Sequence, residues 1–131
     1  MNSLLGRLVG FRLYSVEFVM DYVQLRFDGP TDDMPVLTCD VLPSVVLNDR
    51  KLTPAEPGWA DAVRGLIMQD VTATHEQATT GITVEFGTGL IQLHPAEIEV
   101  DGPEIAMLNG FVDRSWMVWR PGEEAFEDLS T

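Results

Sequence analysis

Apolar and polar residues alternate with a period of two through most of this chain, and this pattern constrains the fold more than any other feature. At residues 23–27 three apolar side chains alternate with two polar ones, and the turn signal Asp28-Gly29 follows. Successive side chains of a strand point to opposite faces, so the pattern predicts strands with one buried face. Related runs occur at residues 9–20, 37–41, 45–47, 71–76, 82–86, 90–94, 98–100, 105–108 and 115–119. The sequence therefore predicts eight to ten short strands.

One segment follows a different period, near residues 58–69. Apolar residues recur there at the spacing of one helix face, namely Trp59, Ala62, Val63, Leu66 and Ile67. This spacing predicts an amphipathic helix that packs on a core. Gly65 lies inside it, and we expect this glycine to allow close approach to a strand. The predicted fold class is α+β and mostly β, with one packed amphipathic helix.

The two halves of the chain read alike. Residues 6–47 contain the alternating motif at 23–27 followed by an apolar strand, and residues 65–100 contain a similar motif at 82–86 in the same order. Internal duplication and chance similarity between amphipathic hairpins both explain this order. Under duplication, two meandering antiparallel β units would form a sandwich or a partly open barrel.

Length and charge narrow the classes of function. The 131 residues fit a single domain, with residues 121–131 as an acidic tail. Asp and Glu number 21 and Lys and Arg number 8, which gives a net charge of -13. Nucleic acid and anionic membranes repel such a chain, so we expect neither as a partner. The same field speeds association with basic proteins.

The cysteine content and hydropathy favour a cytoplasmic protein. Cys39 is the one cysteine, so no intramolecular disulfide can form. No stretch approaches 18 apolar residues, and residues 1–11 lack the pattern of a secretory signal. Cys39 shares a strand face with Leu37 and Val41, which predicts a buried thiol and not a reactive one.

Three stretches carry a family resemblance. Residues 21–30, 102–107 and 116–119 resemble the corresponding stretches of small bacterial proteins with a hairpin, helix, hairpin layout. The resemblance spans most of the chain and implies a bacterial source and a compact fold. It carries over no catalytic residue.

The residues do not indicate an enzyme. Two histidines and one cysteine are too few for a zinc site, and no Ser, His, Asp set has the spacing of a triad. Gly87-x-Gly89 is predicted to be a hairpin turn. We therefore expect no metal and no cofactor. The remaining enzymatic alternative pairs His94 with a nearby carboxylate as an acid–base site.

Two surfaces are candidates for binding. Glu97, Glu99 and Asp101 alternate with apolar residues and are expected to share one exposed strand face, with Glu85 beside them. The C-terminal strand near residues 114–120 is apolar on both faces, which burial or an exposed interface edge would explain. With an exposed edge, the anchors of a protein partner or a homodimer would be Phe111, Trp119 and Arg120.

The sequence thus predicts a non-catalytic module that binds a protein, in particular a basic one, through an acidic sheet face and an aromatic C-terminal strand. One alternative is a domain that binds a small apolar ligand in a pocket between sheet and helix, lined by Trp59, Phe27, Phe86 and Trp116. A second alternative is an acidic inhibitor or immunity-type protein that imitates nucleic acid and blocks a toxin or nuclease.

Overall fold

Two five-stranded antiparallel sheets and one short helix make up a computed structural model that describes residues 4–78, 80–96, 99–100 and 102–127. The strands are β1 (Arg12–Val19), β2 (Tyr22–Asp28), β3 (Val36–Cys39), β4 (Ser44–Leu47), β5 (Arg50–Leu52), β6 (Val71–Gln77), β7 (Gly81–Phe86), β8 (Gly89–Leu93), β9 (Ala106–Asn109) and β10 (Met117–Trp119). The helix is α1 (Trp59–Arg64), and two 3-10 helices cover Leu4–Leu8 and Glu124–Phe126. The predicted α+β, mostly β class is confirmed.

Strand order shows the same plan in both sheets. The first sheet has the order β1-β2-β3-β9-β10, and the second has the order β5-β4-β8-β7-β6. Each sheet is therefore a three-stranded meander from one half of the chain, extended by a two-stranded hairpin from the other half. Hairpin β9–β10 joins β3, and hairpin β4–β5 joins β8.

The two meanders also agree in register. The pairing of β1 with β2 shifts directly after Leu13, and the pairing of β6 with β7 shifts directly after Val71. Leu13 lies opposite Phe27, and Val71 lies opposite Phe86. All four side chains are buried. The two apolar motifs that read alike in the sequence thus occupy equivalent positions.

The second half extends beyond the repeat boundary of residue 100. Its fourth strand is β9, whereas the sequence pattern placed a strand at residues 98–100. Glu99 and Val100 belong to no strand, and Ile98 lies outside the described residues. The backbone N–H of Glu99 donates to the carbonyl of Ala96 at 2.9 Å, which closes a turn where the alternation suggested a strand.

The sheets are joined at one corner, where residues 10–13 meet residues 68–71. The Gly10 N–H donates to the Val71 carbonyl at 2.9 Å, and the Val71 N–H donates to the Phe11 carbonyl at 2.7 Å. Leu13 exchanges two further bonds with this segment, accepting from Met68 and donating to Gln69. These bonds link the start of β1 to the start of β6, as expected for an open sandwich.

Helix α1 is shorter than the predicted stretch and ends at Arg64. Most of its apolar stripe is buried, and the indole N–H of Trp59 donates to the Pro43 carbonyl at 2.8 Å. A Cβ at Gly65 would lie 2.9 Å from a methyl of Leu47 on β4, so the predicted close approach to a strand is confirmed. Among the described residues no helix has the length and apolar composition to cross a membrane.

Cys39 ends β3 and is fully buried, as the alternation predicted. Burial, aided by the negative charge of Asp40, raises the pKa of its thiol to about 12. The thiol therefore stays protonated near neutral pH and behaves as a small apolar side chain.

Candidate functional site

The acidic face predicted from the sequence is not assembled where the structure describes it. Glu85 lies on the outer face of the second sheet, where its carboxylate contacts the imidazole Nε2 of His75. Glu99 lies in the turn after β8, and its Oε1 accepts the Ala96 N–H at 2.7 Å. The prediction that Glu85 and Glu99 share one strand face is therefore wrong, because Glu99 is not on a strand. Glu97 and Asp101 lie outside the described residues.

Two of the three predicted anchors are buried. Trp119 is 1% exposed, and its indole N–H donates to Glu76 Oε2 at 2.7 Å. Phe111 is buried beneath the guanidinium of Arg7, which lies 5.1 Å from the ring centroid. Neither side chain can anchor a partner without unfolding. Arg120 is exposed and pairs with Glu104 at 3.6 Å.

The predicted lining of the apolar pocket is divided between the core and the surface. Phe27, Phe86 and Trp59 are core residues whose side chains fill the interior, while Trp116 lies outside the core. A cavity of about 410 Å³ lies instead beside α1, lined by Leu47, Asn48, Arg50, Leu52, Gly58, Asp61 and Ala62. The four predicted residues do not line it.

The outer face of the first sheet carries three half-buried apolar side chains, Val36, Met107 and Val118, beside the buried Thr38. We call this the open face and the three side chains its apolar centre. Register places Val118 beside Met107, Met107 beside Thr38, and Thr38 beside Gln24, in a row across four strands. Val36 lies in the neighbouring row. The helices pack elsewhere, α1 on β4 and the first 3-10 helix on β6, while the last 3-10 helix buries Phe126 in the core.

Trp116 stands at one end of the open face and is 63% exposed. The turn before it is tied down by two aspartates. Asp33 Oδ1 accepts the Val112 N–H at 2.7 Å, and Asp113 Oδ1 accepts the Ser115 N–H at 2.9 Å. Asp113 Oδ2 also accepts from Arg7 Nη1 at 3.0 Å. These bonds order the backbone that leads into Trp116.

The bonds to this turn lower the pKa of both aspartates. The Val112 N–H and then the Thr31 hydroxyl lower the pKa of Asp33, and the Ser115 N–H and Arg7 lower the pKa of Asp113. A carboxylate whose pKa is lower in the folded chain stabilises the fold above its unfolded pKa, near 3.9 for aspartate. This stabilisation is lost as the pH falls through the folded pKa.

We therefore expect Asp113→Asn to be less stable than the parent at pH 7. The difference in stability between the two should narrow as the pH falls below about 4. The measurement is the urea midpoint as a function of pH. Asp32→Asn is the matched control. Asp32 is also an exposed aspartate, but the bond to the Val112 N–H is made by the next residue, Asp33. A gap for Asp113→Asn that stays constant from pH 7 to pH 3 would contradict the assignment.

A small acidic cleft lies at the other end of the open face. It has a volume of about 240 Å³ and is lined by Asp21, Tyr22, Asp40, Val41, Gly102, Pro103 and Glu104. Partial burial, together with the charges of Glu104 and Asp21, raises the pKa of Asp40. Trp116 and Arg120 are four residues apart along an extended strand, so the two ends of the face are about 13 Å apart.

Most of the positive charge of the chain is already paired with its own carboxylates. Five arginines form such ion pairs, namely Arg7–Asp113, Arg12–Asp28, Arg26–Glu17, Arg64–Asp61 and Arg120–Glu104. The net charge of -13 is thus carried by carboxylates in excess of these pairs. The surface offers a partner mainly negative charge.

Metal chemistry has no site in the part of the chain that is described, where no three His, Cys, Asp or Glu side chains are placed to hold an ion. Comparison with known proteins gives no match to this chain among family models, curated proteins or solved structures. The candidate site is the open face, with the exposed Trp116 at one end and the acidic cleft at the other.

Proposed function

We propose that this chain is a non-catalytic module that docks a basic protein partner on the open face. The observation that carries the proposal is Trp116, a large aromatic side chain that is 63% exposed and follows a hydrogen-bonded turn at the end of the open face. Tryptophan is enriched among residues that dominate binding energy at protein interfaces. Met107 and Val118 extend the apolar centre next to it.

Charge supports a basic partner. Asp21 and Asp40 at one end of the face and Asp33 at the other are carboxylates outside the ion pairs, whereas Glu104 and Asp113 beside them are paired with Arg120 and Arg7. An apolar centre with a polar rim is the usual anatomy of a protein interface. Complementary charge at a rim raises the association rate and suppresses wrong partners.

An inhibitor of a basic toxin or nuclease would be one member of this class. A protein that imitates nucleic acid needs carboxylates in rows at the centre of its binding surface, in place of phosphates. The centre of the open face instead holds Val118, Met107 and Val36. We therefore favour direct docking of a protein surface over nucleic-acid mimicry.

The test begins with photo-cross-linking inside cells of the source organism. One full-length variant carries a photoreactive residue at position 116, and the control carries it at Met68, which is 67% exposed and bonded to β1 at the opposite edge of the sheet. We expect a specific adduct from position 116 and none from position 68. The adduct identifies the partner for binding measurements.

With the purified partner, Trp116→Ala is expected to weaken binding by about 30-fold, which corresponds to a hot-spot loss of roughly 2 kcal/mol. Met68→Ala is expected to change the affinity less than about twofold, as a surface substitution outside the interface. The association rate should fall as salt is raised. Equal affinities of the Trp116→Ala and Met68→Ala variants would overturn the proposal.

A further inference from the structure

Neither half of this chain contains a complete sheet. The first half, β1 to β5, supplies one meander and the hairpin that extends the other sheet, and β6 to β10 do the reverse. The pairings of β3 with β9 and of β4 with β8 therefore join the halves. The corner bonds between residues 10–13 and 68–71 also cross from one half to the other. The molecule has the architecture of two interlocked subunits within one chain.

One short connector is the covalent link between the two halves. It runs from Leu52 at the end of β5 to Trp59 at the start of α1. Glu56 closes it into a turn, because its Oε1 accepts from the N–H and the hydroxyl of Thr53, both at 3.0 Å. The intervening residues 53–58 include two prolines, which favour an extended chain before them. Opened out, six residues span about 20 Å.

We infer that two copies of this chain can pair by exchanging halves, so that the first half of each copy completes the sheets of the second half of the other. We call the unit formed by the first half of one copy and the second half of the other a lobe. Each lobe keeps every strand pairing and core contact of the monomer, and only the connector changes its conformation. The ratio of monomer to exchanged dimer is then set by the connector and by the protein concentration. This inference is independent of the proposed docking function.

The test uses two full-length variants with a charge in equivalent core positions, Phe27→Asp in the first half and Phe86→Asp in the second. Both phenylalanines are buried, so each variant alone is expected to lose its native structure. When the two are unfolded together and refolded as a mixture, an exchanged dimer contains one lobe built from two intact halves. We expect about half of the native near-ultraviolet circular dichroism per chain to return, at twice the monomer mass, because the other lobe carries both substitutions.

The matched control mixes Phe27→Asp with Leu25→Asp, which alters a second buried residue of the same half. No lobe of that mixture has an intact first half, so it should stay unfolded. Recovery in both mixtures, or in neither, would overturn the inference.

A second measurement uses a chain with an intact core. Glu56→Ala removes the acceptor of both bonds that close the turn, so the share of native chain at twice the monomer mass should rise above that of the parent. A Glu56→Ala variant that stays monomeric at every concentration would also overturn the inference.

Discussion

Replacing Trp119 by alanine is expected to lower the free energy of unfolding by about 3–5 kcal/mol, the range for removing a large aromatic side chain from a core. Its ring is among the largest fully buried side chains and also donates a hydrogen bond to Glu76. The same change at Trp116 should alter the free energy of unfolding by no more than about 0.5 kcal/mol, because this ring is largely in solvent. Urea denaturation followed by far-ultraviolet circular dichroism measures both.

Trp119→Phe separates the two contributions of the buried indole. Phenylalanine keeps most of the apolar volume but cannot donate to Glu76, so we expect a smaller loss of about 1–3 kcal/mol. Trp116→Phe is the control at the exposed position. Equal losses for the Trp119→Ala and Trp116→Ala variants would contradict the burial of Trp119 and, with it, the choice of Trp116 as the docking residue.

The alternation near residues 114–120 places the two tryptophans on opposite faces of the strand, and the structure agrees. It does not identify which face is covered. That depends on Glu76, which reaches the C-terminal strand from a distant part of the chain, and on the 3-10 helix at Glu124–Phe126, which folds back on this strand. The sequence interpretation left burial and exposure of this strand open, with Trp119 as an anchor in the exposed case and Trp116 in the pocket alternative. The structure buries Trp119 and exposes Trp116.

Local pattern predicted the meanders well because their strands pair with their neighbours in the chain. Residues 23–27 and 82–86 have a clear period of two and form the middle strand of each meander. Residues 97–101 show the same alternation, yet Glu99 forms a local side-chain bond to Ala96 that competes with strand pairing. The exchange of hairpins between sheets was not predictable, since it rests on pairing between distant segments.

Gly110→Ala is expected to lower the free energy of unfolding by about 2–4 kcal/mol, from backbone strain and forced overlap together. Gly110 directly follows β9 with φ at 97°, in the left-handed region that disfavours a side chain. A Cβ there would overlap the carbonyl oxygen of Met34. The Met34 N–H in turn donates to the Gly110 carbonyl at 3.1 Å, so the two segments cannot separate without losing this bond.

Gly122→Ala is the matched control, because Gly122 has a similar φ of 82° and a Cβ there would meet no atom within 4 Å. Strain alone should cost this variant about 1 kcal/mol. Gly110 also leads directly into the turn that positions Trp116, so Gly110→Ala should weaken partner binding as well, while Gly122→Ala should not. Equal losses of stability in the two variants would show that the segment at Met34 yields to the added methyl group, and the turn would then be less rigid than its hydrogen bonds indicate.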